Sequence, residues 1–333
     1  MVIQKTWQLN DFDYHLPPSL IAQHPIVPRD QARLLIAHRH QHQLRHAKFF
    51  ECSQYLQAGD VLVINTSKVI PARLHGNKTT GGKIELLLLK HTAPLDWECL
   101  IGGTRPKPGV SIRLSQGYTA SIIAPASTTS WQVRFNKPNI TKIGTVPLPP
   151  YITSQATLAD YQTVYAQQPG SAAAPTAGLH FTTNLLERLR HNGVIIAEVM
   201  LHVGLGTFTP LRADTIKQNQ LHAEYAVLPK TTAQAIAQAK ATGHTVTAVG
   251  TTSLRTLEAF HGHSHSGWIT TFIKPGYTFT VVDHLMTNFH LPKTSLLLLV
   301  AAFMGKQFMD QAYQLAIAER YRFYSFGDAM LII

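Results

Sequence analysis

Residues 83–136 read KIELLLLKHTAPLDWECLIGGTRPKPGVSIRLSQGYTASIIAPASTTSWQVRFN. Short apolar stretches (KIELLLLK, WECLIGG, VSIRLS, YTASIIA and WQVRFN) alternate with turns such as GGTRPKPG and SQG. Gly, Pro, Asn and Ser punctuate the stretch at short intervals, and no helical period runs through it. That texture predicts a small antiparallel barrel or sandwich over residues 69–150.

Outward from this stretch the pattern changes on both sides. Upstream, Leu34–Ala37 is strand-like, and GDVLVINTS (59–67) is a turn followed by an apolar strand that ends in polar residues. Downstream of PLPPYI, strands and helices alternate. Thr182 or Thr183 caps a helix NLLERLRHN that Gly193 closes, and VIIAEVML (194–201) is a buried strand. TTAQAIAQAKATG is a second helix, HTVTAVG (244–250) another strand and TTSLRTLEAF the next helix. LPKTSLLLLVAAFMG starts a further helix with Pro292 near its first turn. The predicted fold class is α/β. A discontinuous mixed-sheet domain (residues 1–68 and 151–333) carries an inserted all-β, barrel-like domain (69–150), and there is no internal repeat.

A length of 333 residues suits about two domains, and a 45% hydrophobic content is enough for a substantial core. The formal net charge of +11 makes a polyanion a plausible partner. Cys52 and Cys99 are far apart and outside any CxxC pair, which predicts free buried thiols, no disulfide framework and no thiol metal site. The N-terminus shows no signal-peptide pattern, and Leu296–Met304 is too short to span a bilayer, so no membrane association is expected. HRHQHQLRH (38–46) and HGHSHSG (261–267) have His-x-His spacing but no acidic or cysteine partners nearby. They read as surface loops, and no metal is expected.

Polar residues crowd the turns next to the strands. APTAGLHFT (174–182) precedes a helix, LHVGLGTFTP (201–210) follows a strand, and VGTTSLRT (249–256) joins a strand directly to a helix. TNFHLPK (287–293) and YRFYSFGDAM (321–330) complete the set. Ligands of open α/β sheets bind at strand ends. Thr251, Thr252 and Ser253 alone read as helix caps, and His180, His202 and His290 alone as structural histidines. Gly204 and Gly206 form no complete GxGxxG, so a dinucleotide site is not supported. Together these turns suggest one composite pocket.

Ten long stretches carry a family resemblance: DFDYHLPPSLIAQHP, RDQARLL, GDVLVINTSKVIPARL, TGGKIELLLL, YQTVYAQQPGSAAAPTAGLHFT, LHVGLGTFTPL, HAEYAVL, AVGTTSLRTLE, TNFHLPKTSLLLLVAAFMG and YRFYSFGDAMLI. From about residue 10 to the C-terminus the chain resembles the S-adenosylmethionine:tRNA ribosyltransferase-isomerases of queuosine biosynthesis. One stretch departs from the family's more usual NDTRVIPARL. Thr66 replaces the acidic residue, while Lys68 keeps the positive charge.

The resemblance implies a cytoplasmic, monomeric transferase with no cofactor and S-adenosylmethionine as co-substrate. Such an enzyme moves the ribosyl group onto 7-aminomethyl-7-deazaguanine at the wobble position of tRNA with a GUN-type anticodon. The product is epoxyqueuosine, with adenine and methionine released. A base would remove a C5′ proton made acidic by the sulfonium, the ribose would open, and adenine would leave. The substrate amine would join C1′, C5′ would close on C1′, and the former ring oxygen would expel methionine as the epoxide forms.

On this reading the catalytic candidates are His180, His202, Glu224, His290 and Asp328. The substrate-binding candidates are Thr176, Gly178, Phe181, Gly204, Thr207, Thr251, Thr252, Ser253, Arg255 and Asn288. The Thr251–Ser253 helix start, with Arg255, suits the methionine carboxylate. Arg105 and Lys107 are the leading tRNA contacts, within a wider set of Lys78, Lys83, Arg113, Arg134 and Lys137. Two other readings stay open: a non-catalytic RNA-binding barrel protein, and an S-adenosylmethionine-dependent RNA methyltransferase. The clustered polar turns weigh against the first, and the missing glycine-rich strand-to-helix loop against the second.

Overall fold

Val61–Asn65 (VLVIN) is buried at every position, as a strand covered on both faces must be. In the computed structural model, which describes residues 7–127, 129–154, 156–204, 211 and 219–333, this strand is central to a nine-stranded mixed sheet. Ile195–Leu201 and Val246–Val249 flank it in parallel, and His284–Asn288 extends the parallel set. Beyond Ile195–Leu201 lie the antiparallel strands Gln220–Leu228 and His265–Thr271. Beyond His284–Asn288 lie Ala329–Ile332, Arg33–His38 and the edge strand Gln43–Lys48.

The two faces of the sheet bury separate cores, because side chains alternate along a strand. Val61 and Val63 pack with Leu254 and Leu257 of helix Gly250–Ala259, and with helices Ser295–Met304 and Lys306–Ala318. Leu62 and Ile64 pack with Leu185, Leu186 and Leu189 of helix Thr183–His191. Thr182 caps that last helix by accepting the Leu185 N–H at 3.2 Å, as its position in the sequence predicts. The Leu-rich helix begins at Ser295 rather than beside Pro292, because the Thr294 hydroxyl takes the Leu297 N–H.

Residues 73–135 hold a closed antiparallel barrel. Its strand order is Trp131–Phe135, Asp96–Gly102, Lys83–Ala93, Arg73–Lys78, Ser111–Leu114 and Thr119–Pro125. Alternate residues such as Ile84, Leu86 and Leu88 fill the lumen with Ile112, Ile122 and Val133. The predicted all-β stretch is thus a barrel rather than a sandwich. Closure leaves no sheet edge in this small unit.

Both His-rich stretches are loops only in part, with turns at 39–42 and 261–264. Residues 43–48 and 265–271 are strands at opposite edges of the large sheet. An edge strand keeps one side open to water, so polar residues are tolerated there. Their histidines lie against rings: His42 on Phe308, His46 on Tyr321 and His265 on Phe260. Cys52 and Cys99 are both free and buried, and burial pushes the Cys52 thiol up to about 12.

Candidate active site

Four parallel strands end along one side of the sheet, at Leu201, Asn65, Val249 and Asn288. Asn65 ties three of these ends together. Its Nδ2 donates to the Leu201 carbonyl (3.0 Å) and to Thr252 Oγ1 (3.2 Å). Its Oδ1 accepts from the N–H groups of Leu201 (3.1 Å) and Ser67 (3.0 Å). All four hydrogen-bonding positions of the amide are therefore used. Gly250 follows Val249 at φ +85°, the left-handed region that suits glycine, and opens helix Gly250–Ala259 without a loop.

These strand ends border a cavity lined by Thr176, Gly250, Thr251, Thr252, Thr287, Asn288 and His290, together with Tyr151, Tyr324 and Ser325. Free N–H groups and a positive dipole end belong to the start of the ten-residue helix, and they favour an anion. Ser253 turns inward instead and donates to the Val249 carbonyl at 2.8 Å. The Tyr151 and Tyr324 rings lie 4.7 Å apart, and the Tyr151 hydroxyl is 2.8 Å from Ser325 Oγ. Tyr324 sits at φ +71°, a conformation an aromatic residue seldom adopts.

Asn288 links the cavity to the histidine behind it. Thr176 Oγ1 donates to Asn288 Oδ1 (2.8 Å), so Asn288 Nδ2 faces His180 Nε2 (3.3 Å) and donates to it. His180 is buried and lies against the Phe49 ring, outside the cavity lining. Burial, with the positive charges of Arg322 and Arg29 adding to it, pulls its pKa down to about 3. His290 does line the cavity. Its Nε2 is 2.7 Å from Thr287 Oγ1, its N–H donates to the Tyr313 hydroxyl, and its carbonyl accepts from Tyr14. Burial lowers its pKa to about 3 as well. Both imidazoles are neutral at physiological pH.

The remaining candidates stand elsewhere. Glu224 is buried against Arg255 in an ion pair, and its other oxygen takes the Gly204 N–H at 3.0 Å. Arg255 also donates to the Thr271 carbonyl at 3.2 Å. His202 is half-buried, its Nδ1 is 2.8 Å from Ser67 Oγ, and burial lowers its pKa. Asp328 accepts from the backbone N–H groups of Arg33 (3.0 Å) and Arg322 (2.8 Å), which join two chain segments. Phe181 is a core residue, edge-on to Phe49 at 5.0 Å. A side chain at Gly178 would strike the Tyr165 hydroxyl, so this glycine makes room for a ring, not for a ligand. Thr207 lies outside the described residues.

On the barrel, Arg105 and Lys107 are exposed in one turn. Arg134 is committed to Asp96 (2.7 Å), and Lys78 to Thr104 (2.8 Å). Thr66 is buried and donates to the Val199 carbonyl at 3.3 Å, whereas Lys68 is exposed. Among the described residues, no three His, Cys, Asp or Glu side chains sit together as a metal site would require, and no helix is long and apolar enough to cross a membrane.

The family model described as queuosine biosynthesis protein matches residues 9–332. The chain belongs to the queuosine biosynthesis protein family. A family relative from Thermotoga maritima, named S-adenosylmethionine:tRNA ribosyltransferase-isomerase, is 44% identical over 334 residues, covering 98% of this chain and 100% of its own. One of the same name from Desulforamulus reducens is 48% identical over 340 residues, with the same coverage. A family member of known structure, the S-adenosylmethionine tRNA ribosyltransferase of Thermotoga maritima, matches with a TM-score of 0.58 and 37% identity. That match covers 97% of this chain and 100% of the other.

Asn65, Tyr151, Gly250, Thr287, Tyr324 and Ser325 belong to the candidate site but were not named singly in the sequence. Asn65 did leave a signal, since a fully apolar strand ends there in NTS. Tyr151 follows the prolines of PLPPYI and is brought to Tyr324 only by the fold.

Proposed function

We propose that this chain is an S-adenosylmethionine:tRNA ribosyltransferase-isomerase. It transfers and isomerises the ribosyl group of S-adenosylmethionine onto 7-aminomethyl-7-deazaguanine at the wobble position of tRNA. The products are epoxyqueuosine-tRNA, adenine and methionine. The observation that carries this reading is the convergence of Thr176, Thr251, Thr252, Asn288 and His290 on one cavity beside the ends of the parallel strands, in a chain that matches the family over residues 9–332.

Each part of the cavity has a task in this reaction. The first N–H groups of helix Gly250–Ala259, at Thr251 and Thr252, hold the methionine carboxylate. The Tyr151 and Tyr324 rings face the sulfonium, which a ring's negative face attracts. Thr176 and Asn288 hold ribose hydroxyls, and neutral His180 fixes the Asn288 amide from behind. Among the described residues His290 is the one imidazole lining the cavity, beside the phenols of Tyr151 and Tyr324, and it handles the proton removed from C5′. Glu224, Arg255 and Gly204 brace the wall beside the helix, while Asp328 and Ser253 hold the backbone around it.

The same reading makes residues 69–150 a separate tRNA-facing domain and the rest of the chain the catalytic domain. It also makes the enzyme a cytoplasmic monomer acting on tRNAs with GUN-type anticodons. The test is to incubate the purified chain with S-adenosylmethionine and tRNA bearing the deazaguanine amine, and to separate the products chromatographically. Adenine and methionine are expected in equal amounts. S-adenosylhomocysteine would make the protein a methyltransferase. Tight tRNA binding with no turnover of S-adenosylmethionine would make it an RNA-binding protein.

A further inference from the structure

One face of the large sheet carries a row of rings that the cavity does not use. Tyr225 and Trp268 are direct cross-strand partners, with ring centroids 5.4 Å apart. On the next strand, the His202 N–H donates to the Tyr225 carbonyl at 3.1 Å, which continues the register that sets Met200 opposite Val227 and Leu201 opposite Ala226. Residues directly opposite each other point to the same face. His202, Tyr225 and Trp268 therefore line up across three adjacent strands, while Leu201, Ala226 and Ile269 point the other way into a core.

The row has a wet end and an anchored end. Trp268 is 51% exposed, an unusual position for an indole on a sheet edge. Lys90, an exposed residue of the barrel, places its ammonium 4.3 Å from the centre of that ring and so spans from barrel to sheet. At the other end His202 is bonded to Ser67, which precedes the exposed Lys68. A cation thus stands over one end of the aromatic stripe, and the exposed Lys68 follows in sequence the residue that holds the other end, on a chain of net charge +11.

We propose that this stripe is a docking surface for the single-stranded anticodon loop of the tRNA. A splayed base stacks on Trp268, and Lys90 and Lys68 meet the backbone phosphates on either side. The proposal rests on the tRNA substrate put forward above and adds the place where the loop lies. Stacking rings flanked by cations suit unpaired nucleotides, because an unpaired base offers a π-face that a duplex hides. A phosphate drawing the Lys90 ammonium away frees the indole for a base. Extended loop nucleotides laid along the row would run from the barrel, past Tyr225, toward the His202 and Ser67 strand ends beside the cavity.

The test uses full-length protein and binding titrations with an anticodon stem-loop RNA and with a blunt RNA duplex of equal charge. Trp268→Ala is expected to weaken stem-loop binding by roughly 5- to 150-fold. Trp268→Phe should restore most of it, and duplex affinity should not change. Lys90→Gln should lower the salt dependence of stem-loop binding by a slope of about 0.7–0.9. Binding of S-adenosylmethionine, measured in the same variants, should match the parent protein. Unchanged stem-loop affinity in Trp268→Ala, or equal losses for stem-loop and duplex, would overturn the docking surface while leaving the ribosyl-transfer reading intact. A parent protein that binds neither stem-loop nor tRNA would overturn both.

Discussion

Asn288 shows how little freedom the site leaves a single side chain. Thr176 fixes its oxygen and His180 its nitrogen, so the amide reaches the cavity in one orientation. Misplacing a substrate-holding group by about 1 Å costs roughly 100-fold in rate. His180→Ala is therefore expected to lower kcat by about 100-fold with little change in tRNA affinity, and His180→Gln, which keeps a polar atom near Asn288, to recover part of the loss. Single-turnover kinetics beside a tRNA titration would check this; wild-type turnover in the alanine variant would leave Asn288 without need of a brace. The two buried histidines also predict how stability follows pH. His180 and His290 are lowered to about 3, against an ordinary value of 6.5. Below pH 6.5 the unfolded chain takes up protons that the folded chain refuses, so stability is complete above about 6.5 and falls toward 3. Between pH 7 and 5 each histidine accounts for a loss on the order of 1–2 kcal/mol. Urea unfolding at both pH values is expected to show that loss, and His290→Gln to reduce it. The individual residues of TNFHLPK and VGTTSLRT were readable as polar turns. That His180 stands behind Asn288 was not, since 108 residues separate the two and only the sheet brings them together.

Helix Gly250–Ala259 connects the cavity to the sheet edge. Thr251 and Thr252 at its start line the cavity, and Arg255 one turn later reaches Glu224 on the neighbouring strand. Removing one partner of a buried ion pair strands the other, at a cost of about 3–5 kcal/mol. Glu224→Ala is expected to destabilise the fold by that order in denaturant titrations. The double variant Glu224→Leu with Arg255→Met should regain much of the stability, because an apolar pair leaves no stranded charge. If the double variant were no better than the single one, the Gly204 N–H that Glu224 also satisfies would be the larger part of its contribution. The sequence pattern showed this helix and its strand well, since VTAV is three-quarters apolar and Gly250 stands at the junction. It did not show that Arg255 is already held by Glu224, because a charge on a helix reads the same whether it awaits a ligand or already has a partner. Phe181 and Asp328 were read as ligand and catalytic groups for a similar reason: an aromatic ring or a carboxylate in a crowded turn suits a core or a backbone cap as well as a ligand.

The division into a sheet and a barrel was visible because periodicity and turn spacing are local properties, and residues 83–136 carry them at every step. Where on the molecule a tRNA docks is not local, and charge alone does not decide it. Within the wider basic set, Arg134 pairs with Asp96 and Lys78 donates to Thr104, both at the barrel surface. Arg105 and Lys107 remain exposed in a barrel turn, and Lys90 stands at the barrel's junction with the sheet. A tRNA whose anticodon loop enters the cavity has a stem long enough to pass along the barrel as well, so the two regions should contribute separately. Arg105→Ala with Lys107→Ala is expected to weaken tRNA binding and to reduce its salt dependence by a slope of about 0.7–0.9 for each phosphate left without its cation. Because these side chains meet the stem rather than the loop bases, the weakening should appear with full-length tRNA and be small with a single-stranded oligonucleotide of the loop sequence. Binding of S-adenosylmethionine should stay at the parent value. Titrations of both RNAs at several salt concentrations decide the matter. An unchanged slope with full-length tRNA would mean that the Arg105–Lys107 turn faces solvent in the complex and that the junction beside Trp268 carries the barrel's share of the binding.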